Sequence, residues 1–171
     1  MAFDTDIAVL AGAPLFNLLD RQPLRLLAFA AETRILQGGD ILFRKGDRSD
    51  GGYVVTNGAI ALDPGDGSPA FVAEPGAVIG QTAFFIRMTH PATATARARS
   101  VVMRISPTLM RQVLEEFPSA AAVLHEALAV EVLSLTNNLK RVRGRFFTSD
   151  EAESPSTPDQ AFPIGNTLAR G

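Results

Sequence analysis

Cysteine is absent from the 171-residue chain. That excludes disulfides, thiolate metal sites and cysteine nucleophiles, and it leaves the redox compartment undetermined. Histidine is scarce: His90 and His125 are the two residues of that type. They lie far apart and without clustered carboxylates, which argues against a metal centre. No apolar run approaches the roughly 18 residues that a membrane span needs. The N-terminus, MAFDTDIAVL, carries acids and lacks a basic stretch, so it does not read as a signal peptide. Charge of one sign is not in excess either. A net charge of −2 gives no general attraction to nucleic acid or to an anionic membrane. No nucleophile–base pair, paired catalytic carboxylates or P-loop is visible, so the chain does not read as an enzyme. Internal repeats are lacking. What is present is a hydrophobic content of 46%, enough to build one ordinary core and too much for wholesale disorder. The expectation is a soluble, cytoplasmic protein.

The first thirty residues read as helices. Asp4 to Ala11 forms a short one, with Asp4 or Thr5 as cap. Leu15 to Leu19 and Pro23 to Ala30 form an apolar-rich pair broken at Asp20, with Pro23 suited to a first helical turn. So many leucines and phenylalanines must pack on something. From Ala31 to Ser106 the texture changes to short apolar runs between glycine and aspartate turns. The runs are Thr33 to Leu36, Ile41 to Phe43, Tyr53 to Val55, Ala59 to Leu62, Phe71 to Ala73, Val78 to Ile79, Ala92 to Ala96 and Val101 to Ile105. This spacing predicts a small antiparallel roll or barrel. Asn57-Gly58 is the strongest hairpin signal, because both residues tolerate positive φ.

The stretch around which the chain is organised is GAVIGQTAFFIRMTHPATA, residues 76–94. Gly76 and Gly80 suit positions of positive φ or close backbone approach. Thr82 to Ile86 predicts about a turn and a half of helix, with Phe84 and Phe85 packed inward. The amides of Gly80, Gln81, Thr82 and Ala83 then lie at a helix N-terminus, a natural anion site.

These residues resemble the phosphate-binding cassette of cyclic-nucleotide-binding domains, the β-roll modules of cAMP-responsive regulators, kinases and channels. The family pattern is roughly Phe/Ile-Gly-Glu-x-Ala, a spacer, then Arg-x-Ala-Thr. Here Ile79-Gly80-Gln81-Thr82-Ala83 is followed at matching spacing by His90-Pro91-Ala92-Thr93. Glutamine stands where the family's ribose-binding glutamate would be, and histidine where its phosphate-binding arginine would be. The earlier frame also resembles the family: Gly39-Asp40, Ile41 to Phe43, Gly46-Asp47, Tyr53 to Val55 and Gly58. The likeness extends over roughly residues 12–146. It implies an α+β fold, an antiparallel, jelly-roll-like β-roll of about eight strands, flanked by N-terminal helices and a long C-terminal helix. It also implies a cyclic nucleotide, cAMP or cGMP, or a similar anionic ligand, at Gly80, Gln81, Thr82, Ala83, His90, Pro91, Ala92 and Thr93. The same resemblance implies Thr136 and Asn137, on the last helix, as residues that meet a base edge; polar residues on an exposed or inter-helix face are the competing reading.

Pro107 opens a helix to about Phe117, with Ser106 as cap and Met110, Val113 and Leu114 on its apolar face. Pro118 ends it and admits another, with Ser119 as cap. Leu128, Val132, Leu135, Leu139, Val142 and Phe146 recur at alternating spacings of 4 and 3, a heptad seam. Residues 119–147 therefore predict a dimerisation helix closing a domain of residues 1–147; packing on the chain's own barrel is the alternative. His125 falls in the extended stripe as a packing residue. The basic run Lys140, Arg141, Arg143 and Arg145 complements a helix C-terminus. No helix-turn-helix follows it in this sequence, so nucleic acid is not an expected partner. Residues 148–171, rich in Ser, Pro, Asp and Gly, predict a disordered tail.

Two functions fit this reading. One is a regulatory protein that senses a cyclic nucleotide or related anion and signals to a protein partner through its C-terminal helix. The other is the same fold serving as a ligand-independent dimeric interaction module. Neutral imidazole donates one hydrogen bond, and protonated imidazole adds charge. Gln81 still accepts from a ribose hydroxyl, more weakly than a carboxylate.

Overall fold

The computed structural model describes residues 2–130. Helix α1 (Ala2–Gly12), a 3-10 turn (Phe16–Leu18) and α2 (Arg21–Ala30) precede eight strands. These are β1 (Glu32–Leu36), β2 (Ile41–Phe43), β3 (Gly52–Asn57), β4 (Ile60–Asp63), β5 (Phe71–Ala73), β6 (Val78–Ile79), β7 (Thr93–Ala96) and β8 (Ser100–Ile105). A second 3-10 turn, Gln81–Phe84, lies between β6 and β7, and α3 (Pro107–Glu116) follows β8. A fourth helix, α4, covers 118–130. Every apolar run read as a strand is one, within a residue or two at its ends. The fold is the expected α+β roll: two four-stranded antiparallel sheets in the orders β1-β8-β3-β6 and β2-β7-β4-β5.

The turns owe much to aspartate. The carboxylate of Asp40 accepts from the Gln37 amide and that of Asp47 from the Arg44 amide, each closing a tight reversal three residues back. Asp63 and Asp66 instead accept from the amides two residues ahead, of Gly65 and Ser68. Short side chains that hydrogen-bond their own backbone make such turns without help from the core.

Strand alternation divides the interior. Tyr53 and Val55 of β3, Val102 of β8 and Ile79 of β6 share one interior cluster with Ile60, Ala73, Ala94 and Ala96 of the other sheet. Val54, Met103 and Ile105 point to the opposite face and join the helices. On that side Ile7, Leu10, Phe16, Leu24, Leu27, Leu109, Met110, Val113 and Leu124 form a second core. β3 and β8 are thus covered on both faces, as their nearly unbroken apolar sequence requires.

Capping follows sequence at α3, where the Ser106 hydroxyl accepts from the Leu109 amide at 3.1 Å. Pro23 stands in the first turn of α2, as expected, and Asp20 is its N-cap residue. Other details differ. α1 begins at Ala2, so Asp4 lies within its first turn and does not cap it. α4 starts at Pro118, which leaves Ser119 inside the helix. Proline at a first helical position has no amide to leave unsatisfied. His125 is exposed and does not pack. Leu128, the first residue of the heptad stripe, packs against the helical core; the rest of the stripe, residues 132–146, and the tail lie outside the described residues.

Asn57-Gly58 is not a hairpin. β3 pairs with β6 and β8, and β4 with β5 and β7, so this turn carries the chain from one sheet to the other. Gly58 has φ +81°, and a Cβ there would collide with the Ser100 hydroxyl and the Arg99 carbonyl. That hydroxyl accepts from the Ala59 amide at 3.0 Å and donates to the Ala98 carbonyl at 2.8 Å. Close approach to β8 is what demands glycine here.

Phe84, fully buried, ends the second 3-10 turn with its ring edge-on to Phe16, centroids 5.1 Å apart at 78°. Gly52 lies directly beneath it, and a Cβ there would overlap the Phe84 ring. Gly52→Ala therefore forces an aromatic ring out of a packed site. Overpacking of this kind costs roughly 1–3 kcal/mol, read as a lowered midpoint in urea; an unchanged midpoint would show that the ring has room to retreat.

Candidate functional site

The site grows from two segments, the turn at 79–84 and the chain at 88–92. Gly80 is the N-cap of the turn, in the left-handed region at φ 70° and ψ 53°. The space around a Cβ is ordinary here, so φ alone favours glycine. The turn is shorter than expected, four residues of 3-10 helix. A single turn has little macrodipole, so its attraction for an anion reduces to individual N–H groups. The Ala83 amide is engaged within the turn, donating to the Gly80 carbonyl at 2.9 Å, and Ala83 is fully buried. Phe84 is buried as expected, whereas Phe85 is half-buried and Ile86 is exposed.

The second segment is strapped to the loop between β2 and β3. The Gly46 amide donates to the His90 carbonyl and the His90 amide to the Asp47 carbonyl, both at 2.9 Å. The Ser49 amide donates to the Met88 carbonyl at 2.7 Å, and the buried Ser49 hydroxyl accepts from the Met88 amide at 2.9 Å. The Thr93 hydroxyl belongs to the same strap, accepting from the Lys45 amide at 3.0 Å.

Between the two segments lies a cavity of about 130 Å³. Gly80, Gln81, Thr82, His90, Pro91 and Ala92 line it, with Phe43, Leu62, Ile79 and Met88. Six of the residues singled out from the sequence thus share one cavity. Ala83 and Thr93 stand beside it and do not line it. Thr136 and Asn137 lie outside the described residues. The apolar walls were missed. Phe43 is one of them, and a register shift between Ile41 and Phe43 is what aims it. Leu42 and Phe43 both pack toward the inner core while Ile41 is exposed, an effect of a bulge that no alternation pattern announces.

His90 is 4% exposed. Its ring stacks on Phe43, centroids 3.6 Å apart and planes within 8°. Burial pulls the imidazole below its ordinary range, and the negative charges of Asp50 and then Asp47 oppose the shift without reversing it. That packing makes His90 a buried wall of the cavity and not an exposed turn residue. Phe43 in turn meets Tyr53 at 5.8 Å. The Tyr53 hydroxyl donates to Asp50 at 2.8 Å and accepts from Arg34 at 3.2 Å. Arg34 also binds Glu32 and Asp50, and Arg104 binds Glu32 through two nitrogens and the Asp50 carbonyl. Hydrogen bonds from Arg34 and Arg104 hold the Glu32 carboxyl below its usual range. For Asp50, burial pushes upward and the bonds from Tyr53 and Arg34 prevail, leaving it low. Burial, with Asp50 beside it, pushes the Tyr53 hydroxyl up. Two guanidinium groups and two carboxylates thus form a closed, balanced cluster behind the rings.

Among the described residues no helix is long and apolar enough to cross a membrane, and no group of three or more acidic, histidine or cysteine side chains is placed to hold a metal.

A two-sheet antiparallel roll whose glycine-headed turn and strapped return enclose a small cavity defines a class of ligand-binding module. The model of the cyclic nucleotide-binding domain matches residues 33–117. A cyclic nucleotide-binding-like protein from Brucella abortus bv. 1 str. 9-941 is 36% identical, with a TM-score of 0.58, over 64% of this chain and 97% of that one. The N-terminal domain of a transcriptional regulator from Streptomyces coelicolor A3(2) is 29% identical, with a TM-score of 0.70, over 77% of this chain and 94% of that one. The chain belongs to the cyclic nucleotide-binding domain family. It is also similar to the lysophospholipase NTE1 of Coccidioides immitis (strain RS), 24% identical over 96% of this chain, but it spans 11% of that protein's length.

The state of His90 can be measured. Its ring should titrate below the ordinary histidine midpoint of about 6.5, followed through its ring proton resonances. The unfolded chain then takes up a proton that the folded chain resists, so folding stability should fall as pH drops from 7 to 5. His90→Phe should flatten that part of the profile. A midpoint at or above the ordinary value would contradict the burial argument.

Proposed function

We propose that the chain binds a cyclic nucleotide, cAMP or cGMP, or a related anionic ligand, between the turn at Gly80, Gln81 and Thr82 and the segment His90 to Ala92. The supporting observation is a cavity in the place where the family's cassette frame lies, lined by those residues. Ala83 and Thr93 support the two walls without touching the cavity. Thr136 and Asn137 retain the proposed role of meeting the base edge. Gln81 and His90 stand at the positions of the family's glutamate and arginine, so an amide and an imidazole take those places in this reading. The role is regulatory and non-catalytic. Occupancy shifts the helix of residues 119–147 and so alters binding to a protein partner or to a second copy of the chain. The heptad spacing from Leu128 to Phe146 supports pairing of that helix.

A second reading is favoured by the size of the cavity. At about 130 Å³ it is below the roughly 300 Å³ at which ligand pockets usually begin, and no lysine or arginine lines it. A ligand-independent dimeric interaction module would need no more. Calorimetry with cAMP and cGMP separates the two. The first reading expects saturable binding that Gln81→Ala weakens about two- to tenfold, the worth of one neutral hydrogen bond. No heat from either nucleotide at millimolar concentration would favour the second. Sedimentation of the wild type and Leu135→Asp tests pairing, with a halved mass expected for the variant.

A further inference from the structure

We propose that an anionic guest in this cavity brings a proton with it, onto His90, so that occupancy responds to pH as well as to ligand. This rests on the ligand-binding reading above and adds how the guest's charge is balanced. Of the ten lining residues, none is Lys, Arg, Asp or Glu, and His90 is the one whose side chain titrates near neutrality. An anion placed among apolar walls and neutral amides is costly to desolvate unless a counter-charge accompanies it. The fixed cations of the neighbouring segments stay outside the lining. The Lys45 ammonium donates to the Pro64 carbonyl at 2.6 Å, and Arg34 and Arg104 are held by Glu32 and Asp50. Arg44, Arg48 and Arg87 are exposed and outside the lining.

The groups that face the imidazole agree in sign. From the loop between β2 and β3, Asp50 and Asp47 favour its protonated form. β2 contributes Phe43 and β4 contributes Leu62, neither of which titrates, and the cassette turn contributes the neutral Gln81. Phe43 lies flat against the ring at 3.6 Å. That aromatic face accommodates an imidazolium as readily as an imidazole, since its π-electrons attract the added charge. Burial opposes protonation while the cavity is empty. A bound anion reverses the balance by supplying the charge that burial penalises. The bound form therefore holds more protons than the free form. Affinity must rise as pH falls, by up to tenfold per pH unit for one proton, and level off where the free ring is itself protonated.

The test is calorimetry of cAMP and cGMP with the full chain at pH 6, 7 and 8, repeated at pH 7 in PIPES and in Tris. The expected result is tighter binding at each lower pH, and different heats in the two buffers, equivalent to uptake of a fraction of a proton up to one. His90→Gln should remove the pH dependence and the buffer difference. His90→Arg should bind with a flat profile. Should His90→Gln fail to fold, the ring resonances of the wild type decide instead, with a titration midpoint that moves up when cAMP is added. Binding with equal heats in both buffers and no pH dependence would overturn proton uptake and leave ligand binding standing. No binding by wild type or His90→Arg at any pH would overturn both.

Discussion

One aromatic ring holds the assembly in register. Phe84 lies at the end of the cassette turn, with β3 beneath it and Phe16 of the first 3-10 turn against it. Close packing leaves such a ring little freedom. Gly80 opens the same turn in a conformation few residues adopt. The backbone at the cavity is therefore positioned from both ends, by burial behind and by a left-handed residue in front. Neither device depends on a ligand.

The interior between the sheets carries a second line of contacts, from His90 through Phe43 and Tyr53 to Asp50. It joins β2, β3 and the cassette's return segment, and it ends in a cluster of two arginines and two carboxylates. Each ion pair there is partly exposed, and such pairs contribute little singly. Their shared geometry matters more. Glu32 and Arg104 sit opposite one another in the β1–β8 register, and Arg34 reaches across to the loop that carries Asp50. The cluster fixes the end of the sheet next to which the histidine is stacked.

Much of this architecture was legible in the sequence. Eight strands stood out because apolar runs and aspartate turns alternate, and both are local signals. The cassette frame was legible because its spacing is contiguous. What escaped depends on tertiary contacts. Asn57-Gly58 has hairpin chemistry, yet Gly58 serves the approach of β8. His125 sits in an apolar spacing but faces outward. Ala83 belongs to the motif, although its amide is consumed within a turn tighter than expected. Phe43 gave no sign of lining a cavity, since a bulge rather than alternation directs it. His90 was singled out by position alone; its stack on Phe43 joins residues 47 apart in the chain.

The strap that fastens residues 88–93 to the β2–β3 loop is made largely of peptide groups, with the hydroxyls of Ser49 and Thr93 added. Main-chain bonds are indifferent to the identity of the side chains they carry. Mutation can thus exchange the groups that greet a guest while the doorway keeps its outline. Outline and selectivity are thereby set by different parts of the chain.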